Sequence, residues 1–351
     1  MTSCLLFRFD ASSEIGLGHA FRCSALIEFF SMNYRMLTLK CVVVSRALPS
    51  FLHDRLLAMG AEIHTLSNTL ELIDEIDLLT CLNQRYQANV LLIDGYQFDQ
   101  YYRQCLGQSA LNIISFDDIN SLTNLHCDMV INALENAHEL GYQHSAPQAK
   151  HLLGLQYSII RQEFLLADKK PFKERTKLLV NFGGSDIGGL TLLILQLLAQ
   201  GQFAIKANQI VVITGAGCHK AGEIAKFCQQ EGFQYQHNCN NMAAILQQTR
   251  LAICAPGAIV YELAYCHVPS VFLTIADNQL LSAKAHQKAG WCYTFNGLTD
   301  DGVIQAIAQA KTLWLSQSQL NLLSAKAGQL IDGQGVARIA ENIINHLYKH
   351  D

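Results

Sequence analysis

A chain of 351 residues, half of them hydrophobic, is long enough for two domains with a filled core each. Its formal charge of −4 at pH 7 leaves no basic footprint, which argues against nucleic acid as the main partner. No apolar run reaches the roughly eighteen residues that a membrane-spanning helix needs, so no membrane insertion is expected.

Residues 4–9 form an apolar run that predicts a buried first strand. A polar loop with two glycines follows over 10–18, and then a helix carrying Ala20, Ala25, Leu26, Ile27 and Phe30. Strands are predicted next over 37–44, 61–66, 89–93, 111–116, 129–132 and 152–155. Helices over 49–59, 69–86 and 98–106 separate the earlier of them. Between Leu166 and Lys177 seven of twelve residues are charged and one is proline, the pattern of a linker. The alternation restarts with strands over 177–182, 209–214, 233–236, 251–254 and 270–273, and three helices close the chain over 300–313, 316–329 and 335–348. Strands alternating with helices predict parallel sheets with right-handed crossovers. The expected organisation is an α/β protein of two Rossmann-like, doubly wound domains, 1–165 and 178–351, facing across a cleft on either side of a linker over 166–177.

Twelve cysteines are scattered singly with no C-x-x-C pair, and no secretory leader pattern precedes the first apolar run. They are expected to be reduced and mostly buried, in a cytoplasmic protein. The histidines show no zinc-ligand spacing such as H-E-x-x-H, so neither metal nor cofactor is expected.

The first loop carries the densest chemistry. Arg8, Asp10, Gly16, Gly18, His19 and Arg22 fall within fifteen residues of a chain that is only 15% charged. A loop between a strand's carboxyl end and a helix amino end is where open α/β sheets bind ligands. Backbone N–H groups and the helix dipole attract anions there, and glycine admits close approach. Asp10, Gly18 and Arg22 are therefore candidate substrate contacts, beside one candidate base, His19. The plainer alternative is a histidine that only ties down the start of a helix.

In the second half, residues 178–186 read L-L-V-N-F-G-G-S-D and run into a helix. Strand, glycine-rich turn and helix gather backbone N–H groups around a phosphate, although many such turns are simple connections. Residues 251–262, L-A-I-C-A-P-G-A-I-V-Y-E, repeat the arrangement, with Gly257 in the turn and Glu262 inside the helix. Taken alone, Glu262 reads as a surface carboxylate, and Asp277 or Asn278 as an ordinary helix cap.

The opening pattern R-x-D-(x)5-G-x-G-H-(x)2-R-C resembles that of the UDP-sugar hydrolases of pseudaminic acid biosynthesis, which act on UDP-2,4-diacetamido-2,4,6-trideoxy-β-L-altropyranose. That family in turn resembles the MurG-type glycosyltransferases of the GT-B fold. Further elements match in order: Asp94-Gly95-Tyr96, with Gly95 where the family has serine; Asp117-Asp118; a G-x-x-Y-(x)3-R-x-x-F segment carrying Arg161; Gly183-Gly184-Ser185-Asp186; Glu262; and Asn278-Gln279. The turn at Gly257 departs from the family's glycine-and-hydroxyl form, having Ala258-Ile259-Val260.

The resemblance implies an inverting hydrolase with a small-molecule UDP-sugar as its partner. UDP would rest on Gly183, Gly184, Ser185 and Gly257, with Glu262 on the ribose hydroxyls. Asp94, Tyr96, Arg161, Asn278 and Gln279 would meet the substrate, and His19 would activate water. Histidine suits that role because its ordinary pKa of about 6.5 lies near neutrality. A glycosyltransferase, a UDP-sugar epimerase and a catalytically silent UDP-sugar binder are the alternatives, and the oligomeric state stays open.

Overall fold

The computed structural model describes residues 4–12, 15–34, 39–88, 90–109, 111–200 and 205–347, with the Asn278 side chain outside that set. Strand β1 (Cys4–Phe9) is buried at all six positions, as a strand covered on both faces of a parallel sheet has to be. Leu5, Phe7 and Phe9 join one apolar cluster while Cys4 and Leu6 join another, following the two-residue alternation of side chains across a sheet. Around β1 lie β2 (Lys40–Ser45), β3 (Glu62–Thr65), β4 (Val90–Asp94), β5 (Asn112–Phe116), β6 (Met129–Asn132) and β7 (Lys150–Leu153). All pair in parallel, in the order β3-β2-β1-β4-β5-β6-β7. Strand order reverses between β1 and β4, and a doubly wound sheet places its ligand crevice at such a switch point.

A second sheet repeats the plan. Its strands are β8 (Lys177–Asn181), β9 (Ile210–Thr214), β10 (Gln234–His237), β11 (Thr249–Cys254), β12 (Ser270–Thr274) and β13 (Cys292–Asn296), in the order β10-β9-β8-β11-β12-β13 and again all parallel. The switch point here lies between β8 and β11. Strand β13 is an addition to the expected set. It is an edge strand buried only at Cys292, and its alternation of Cys, Tyr, Thr, Phe and Asn lacks the aliphatic run that marks central strands. The twelve cysteines are free thiols, most of them buried.

The chain divides into two compact units differently from the sequence expectation. The first contains Met1–Arg161 and Gly333–Asp351, the second Gln162–Asp332. Residues 166–177 therefore belong to the second unit. Asp168, Lys169, Lys173 and Glu174 are exposed, but the Arg175 guanidinium is buried and ties the segment down, donating to the carbonyls of Cys266 at 2.6 Å and Lys170 at 3.0 Å.

The last helix, Gly335–Leu347, returns to the first unit, where the expected boundary had left it in the second. Val336, Ile339, Ala340, Ile343 and Leu347 enter one cluster with Cys23, Leu26, Ile27 and Phe30 of helix Gly18–Asn33. Its start needs glycine, because a Cβ on Gly335 would lie 2.1 Å from the Ser158 carbonyl oxygen. Ile339→Ala is expected to destabilise the first unit by about 2–5 kcal/mol through the cavity it leaves. Amide exchange should accelerate in β1 and not in β8, whereas Glu341→Ala on the exposed face should change neither. Faster exchange confined to β8 would place the helix with the second unit.

The second unit buries an ionisable ring. His286 is fully buried beside Trp291 and Tyr261, and its Nδ1 accepts from Trp291 Nε1 at 3.3 Å. Its Nε2 meets no partner among the described residues, and burial lowers the ring's pKa to about 4. Above pH ~6.5 the ring is neutral whether the chain is folded or unfolded. As pH falls from ~6.5 to ~4 the unfolded chain takes up a proton that the folded one refuses, so stability drops across that window by roughly 3 kcal/mol. His286→Gln keeps an acceptor for Trp291 and should flatten the fall in denaturant midpoint between pH 6.5 and 4. An unchanged pH slope would show that the buried ring is not its source.

Candidate functional site

Both switch points carry the residues singled out in the sequence. In the first unit, β1 ends at Phe9 directly opposite Asp94, the last residue of β4. The chain leaves β1 through a loop in which Ser12 and Gly16 form an isolated antiparallel bridge. Gly16 adopts φ +88 there, a conformation that a side chain would strain. Gly18 opens the helix Gly18–Asn33, so His19 and Arg22 lie in its first turns above the end of β4.

Asp94 joins them. The fully buried carboxylate receives His19 Nδ1 at 2.6 Å on Oδ1. Arg22 donates Nε to Oδ2 and Nη2 to Oδ1, each at 2.5 Å. The Cys23 thiol adds a weaker contact at 3.5 Å. Arg22 spends its remaining nitrogen on Asp118 Oδ1 at 2.8 Å and rests over the Phe116 ring, 4.7 Å from its centroid. Burial opposes a charge on Asp94, but Arg22 and then His19 outweigh it and hold the carboxyl well below the usual range. Tyr96, about half exposed, stands edge-on to the His19 ring with centroids 4.9 Å apart, and its hydroxyl donates to Asp118 Oδ2 at 3.2 Å.

This geometry changes several expected roles. Asp94 is not exposed to a ligand, since both its oxygens are occupied from within the fold. Arg22 is likewise committed to two carboxylates. Asp10 is buried too: it accepts from Arg46 N at 2.6 Å, Ser45 Oγ at 3.0 Å and Gln97 Nε2 at 3.1 Å, and pairs with Arg8 at 2.8 Å. Burial raises its carboxyl, but Arg8 and these donors more than compensate and leave it below the ordinary range. His19, Gly18 and Tyr96 stay grouped around the loop. Arg161 is half-buried with its guanidinium 5.3 Å from the Phe21 ring centroid. Asp118, noted in the sequence only as part of a strand end, proves to be the second anchor of Arg22.

In the second unit the turn 182–189 follows β8. Gly183 and Gly184 are exposed and Ser185 is half-buried, and Gly183 adopts φ +82. The backbone N–H groups of Gly184 and Ser185 donate to nothing among the described residues, which suits an anion. Asp186 has a different task. It accepts from the amides of Leu190 at 3.1 Å and Thr191 at 3.3 Å, capping the helix Leu190–Ala199, and burial raises its carboxyl pKa despite those donors.

Two glycines absent from the sequence expectations hold this turn from behind. A Cβ on Gly215 would lie 2.5 Å from Gly184 Cα, and Gly217 N donates to Gly184 O at 3.1 Å. The signal was a T-G-A-G run that starts on the last residue of β9.

Beside β8, the turn after β11 is tied to the end of β8 through Ala255 N and Asn181 O at 3.3 Å. Gly257 is exposed, with open space where a Cβ would stand. Glu262 lies in the first turn of helix Ile259–Tyr265 and is only 8% exposed, which removes the surface-carboxylate alternative. After β12, Gln279 Oε1 accepts from Ile275 N at 3.0 Å and pins its own loop. Asp277 occupies the N-cap position of helix Asn278–Lys288 without a side-chain cap, and the Asn278 side chain lies outside the described residues. Among the described residues no helix is long and apolar enough to cross a membrane, and no group of three or more His, Cys, Asp and Glu is placed to hold a metal ion.

No protein-family model matches the chain. It is 22% identical over 275 residues to an uncharacterized protein of Methanocaldococcus jannaschii, a match covering 75% of this chain and 54% of the other, so the chain spans about half that relative's length. Over 290 residues it is 23% identical to the UDP-2,4-diacetamido-2,4,6-trideoxy-β-L-altropyranose hydrolase of Campylobacter jejuni, covering 82% of this chain and 97% of that one. Among solved structures, the MurG of Acinetobacter baumannii superimposes with a TM-score of 0.67 at 14% identity, covering 98% of this chain and 100% of that one. The UDP-GlcNAc 2-epimerase of Neisseria meningitidis, bound to UDP-GlcNAc, gives 0.62 at 11%, covering 98% and 100%. The chain thus resembles the UDP-diacetamido-trideoxy-altropyranose hydrolases in sequence and has the GT-B fold of the MurG-type proteins.

Proposed function

We propose that the protein is a UDP-sugar hydrolase that cleaves UDP-2,4-diacetamido-2,4,6-trideoxy-β-L-altropyranose to UDP and the free sugar. The carrying observation is the pairing of His19 Nδ1 with the buried Asp94, because a histidine tied down through one nitrogen keeps the other for proton transfer. The 23% identity to a hydrolase of that substrate over nearly its full length supports the choice of sugar. Exposed glycine turns after β8 and β11, with Glu262 behind the second, support nucleotide binding by the second unit.

Diphosphate leaves readily once its charge is met, so the chemistry needs stabilisation of the leaving group and a base for water. The proton of water passes to His19 Nε2 and its oxygen forms a bond to the anomeric carbon. The anomeric C–O bond breaks on the opposite face, and its electron pair leaves with UDP. Inversion follows. Free thiols throughout the chain fit a cytoplasmic enzyme.

The deciding experiment incubates the protein with this UDP-sugar in H₂¹⁸O. Free sugar carrying ¹⁸O, with unlabelled UDP, is the expected outcome, and His19→Asn should lower turnover by about 10²–10⁴-fold with UDP affinity unchanged. Isomerised UDP-sugar would mark an epimerase, and binding without turnover a silent binder. Release of the sugar only when an acceptor is supplied would mark a transferase. Full activity in the asparagine variant would reduce His19 to a helix-start residue.

The ribose role of Glu262 has its own check. Glu262→Ala removes a charged acceptor, worth roughly 1.5–3 kcal/mol, so UDP should bind about 10- to 100-fold more weakly by calorimetry. Unaltered affinity would assign the buried carboxylate to the fold.

A further inference from the structure

We propose that Asp94 is the positioning residue of this site: its buried carboxylate selects the His19 tautomer with the proton on Nδ1, so that Nε2 carries the lone pair. The use of that lone pair as a base rests on the function proposed above, whereas the tautomer itself does not. Two neighbours compete for Nδ1. Asp94 Oδ1 lies 2.6 Å away and Arg22 Nη2 lies 3.1 Å away. A bare Nδ1 lone pair at 2.6 Å from a carboxylate oxygen would set two acceptors against each other, so the nitrogen facing Asp94 has to be the donor. Arg22 Nη2 then has its acceptor in Asp94 Oδ1 at 2.5 Å, and its approach to Nδ1 is a contact between two donors that share that oxygen.

Arg22 completes the device. Were Asp94 protonated, it would become a donor and the preference for Nδ1–H would vanish. Arg22 prevents this by meeting both oxygens through Nε and Nη2. It is braced in turn by Asp118, by the Phe116 ring and, through Asp118, by the Tyr96 hydroxyl. Among the described residues the charged and titratable groups facing His19 and Asp94 include Arg22, Asp118, Cys23, Tyr96 and, acting on Asp94 without a direct bond, the buried Arg103, and the Arg22 cation is the closest of them to the carboxylate. Placing Asp94 at the end of β4, fully buried and in register with Phe9, removes any freedom to rotate toward solvent.

Nitrogen-15 spectroscopy of the histidine rings tests this without substrate. In the unmodified protein, at a pH where His19 is neutral, its ring should show a protonated Nδ1 and a bare Nε2, assigned by the loss of those signals in His19→Asn. In Asp94→Asn the side-chain amide offers Nδ1 a donor, so the ring should swing to the Nε2–H form. Turnover should fall by roughly 10²–10⁴-fold with KM nearly unchanged, because a wrongly protonated base binds substrate but takes no proton. If Asp94→Asn does not fold, the unmodified protein decides alone, since a ring found in the Nε2–H form overturns the proposal. An Asp94→Asn variant that keeps the Nδ1–H form overturns it as well. An Nδ1–H ring in a protein that releases no UDP from the UDP-sugar would sink the hydrolase reading and leave the positioning role standing.

Discussion

A carboxylate with no exposure to water is tolerable only when something replaces its hydration, and at the end of β4 that something is Arg22. Burying an isolated charge costs far more than a domain's net stability, whereas a charge met by a well-aligned partner is sustained. The guanidinium suits this because its planar fork reaches both oxygens of Asp94 and still has an edge for Asp118. A lysine ammonium has no such fork. Once the pair is set, the helix bearing Arg22 has its rotation fixed over the sheet, and His19, three residues earlier on the same face, is held against the carboxylate. The placement of the imidazole against the end of β4 therefore rests on the same carboxylate that holds Arg22.

A second buried network stands behind the first. Arg8 bridges Asp10 at 2.8 Å and Glu75 at 2.7 Å, and Glu75 also receives the Tyr102 hydroxyl at 2.8 Å and the Arg46 guanidinium. Two cations and two anions balance, with Ser45 and Gln97 filling remaining acceptor sites on Asp10. Asp10 also takes the backbone amide of Arg46 just past β2, so the loop leaving β1 is stitched to the loop leaving β2. Part of the polar density at the start of the chain thus serves to hold the crevice wall in place.

Much of this architecture was legible in the residues. Fully apolar runs such as Val42, Val43 and Val44, or Leu178, Leu179 and Val180, mark strands buried on two faces, and alternation with helices fixes a parallel sheet. The glycine turns and His19 announce themselves by where they fall after such runs. What stayed hidden was partnership across long separations. Nothing near Asp94 in the sequence tells that Arg22, seventy-two residues away, will occupy its oxygens, so it read as a ligand contact. Arg175 read as part of a linker because a buried guanidinium bound to carbonyls looks, in sequence, like the solvated charges around it. The amphipathic pattern of residues 335–347 announces a helix with one apolar face but not which core receives it. β13 escaped notice because an edge strand needs less hydrophobicity.

The two sheets share one strand order up to the added β7, yet their switch points differ in chemical character, and that difference bears on what each is fit to do. Side chains dominate the first: a histidine, an arginine and two aspartates converge where β1 and β4 end, with donors and acceptors fixed before any ligand arrives. Preorganised polar groups of this kind suit a step in which a proton moves, because they need no rearrangement when charge develops. Backbone dominates the second. The N–H groups of Gly184 and Ser185 donate to nothing among the described residues, Gly183 and Gly257 are exposed without side chains to cover them, Gly215 and Gly217 let a neighbouring loop press against the first turn, and Asp186 spends its carboxylate on capping the helix behind it. Such a surface can approach a polyanion closely while offering it no proton acceptor of its own. One topology, duplicated, has been furnished once with convergent polar side chains and once with glycine turns that leave peptide groups uncovered.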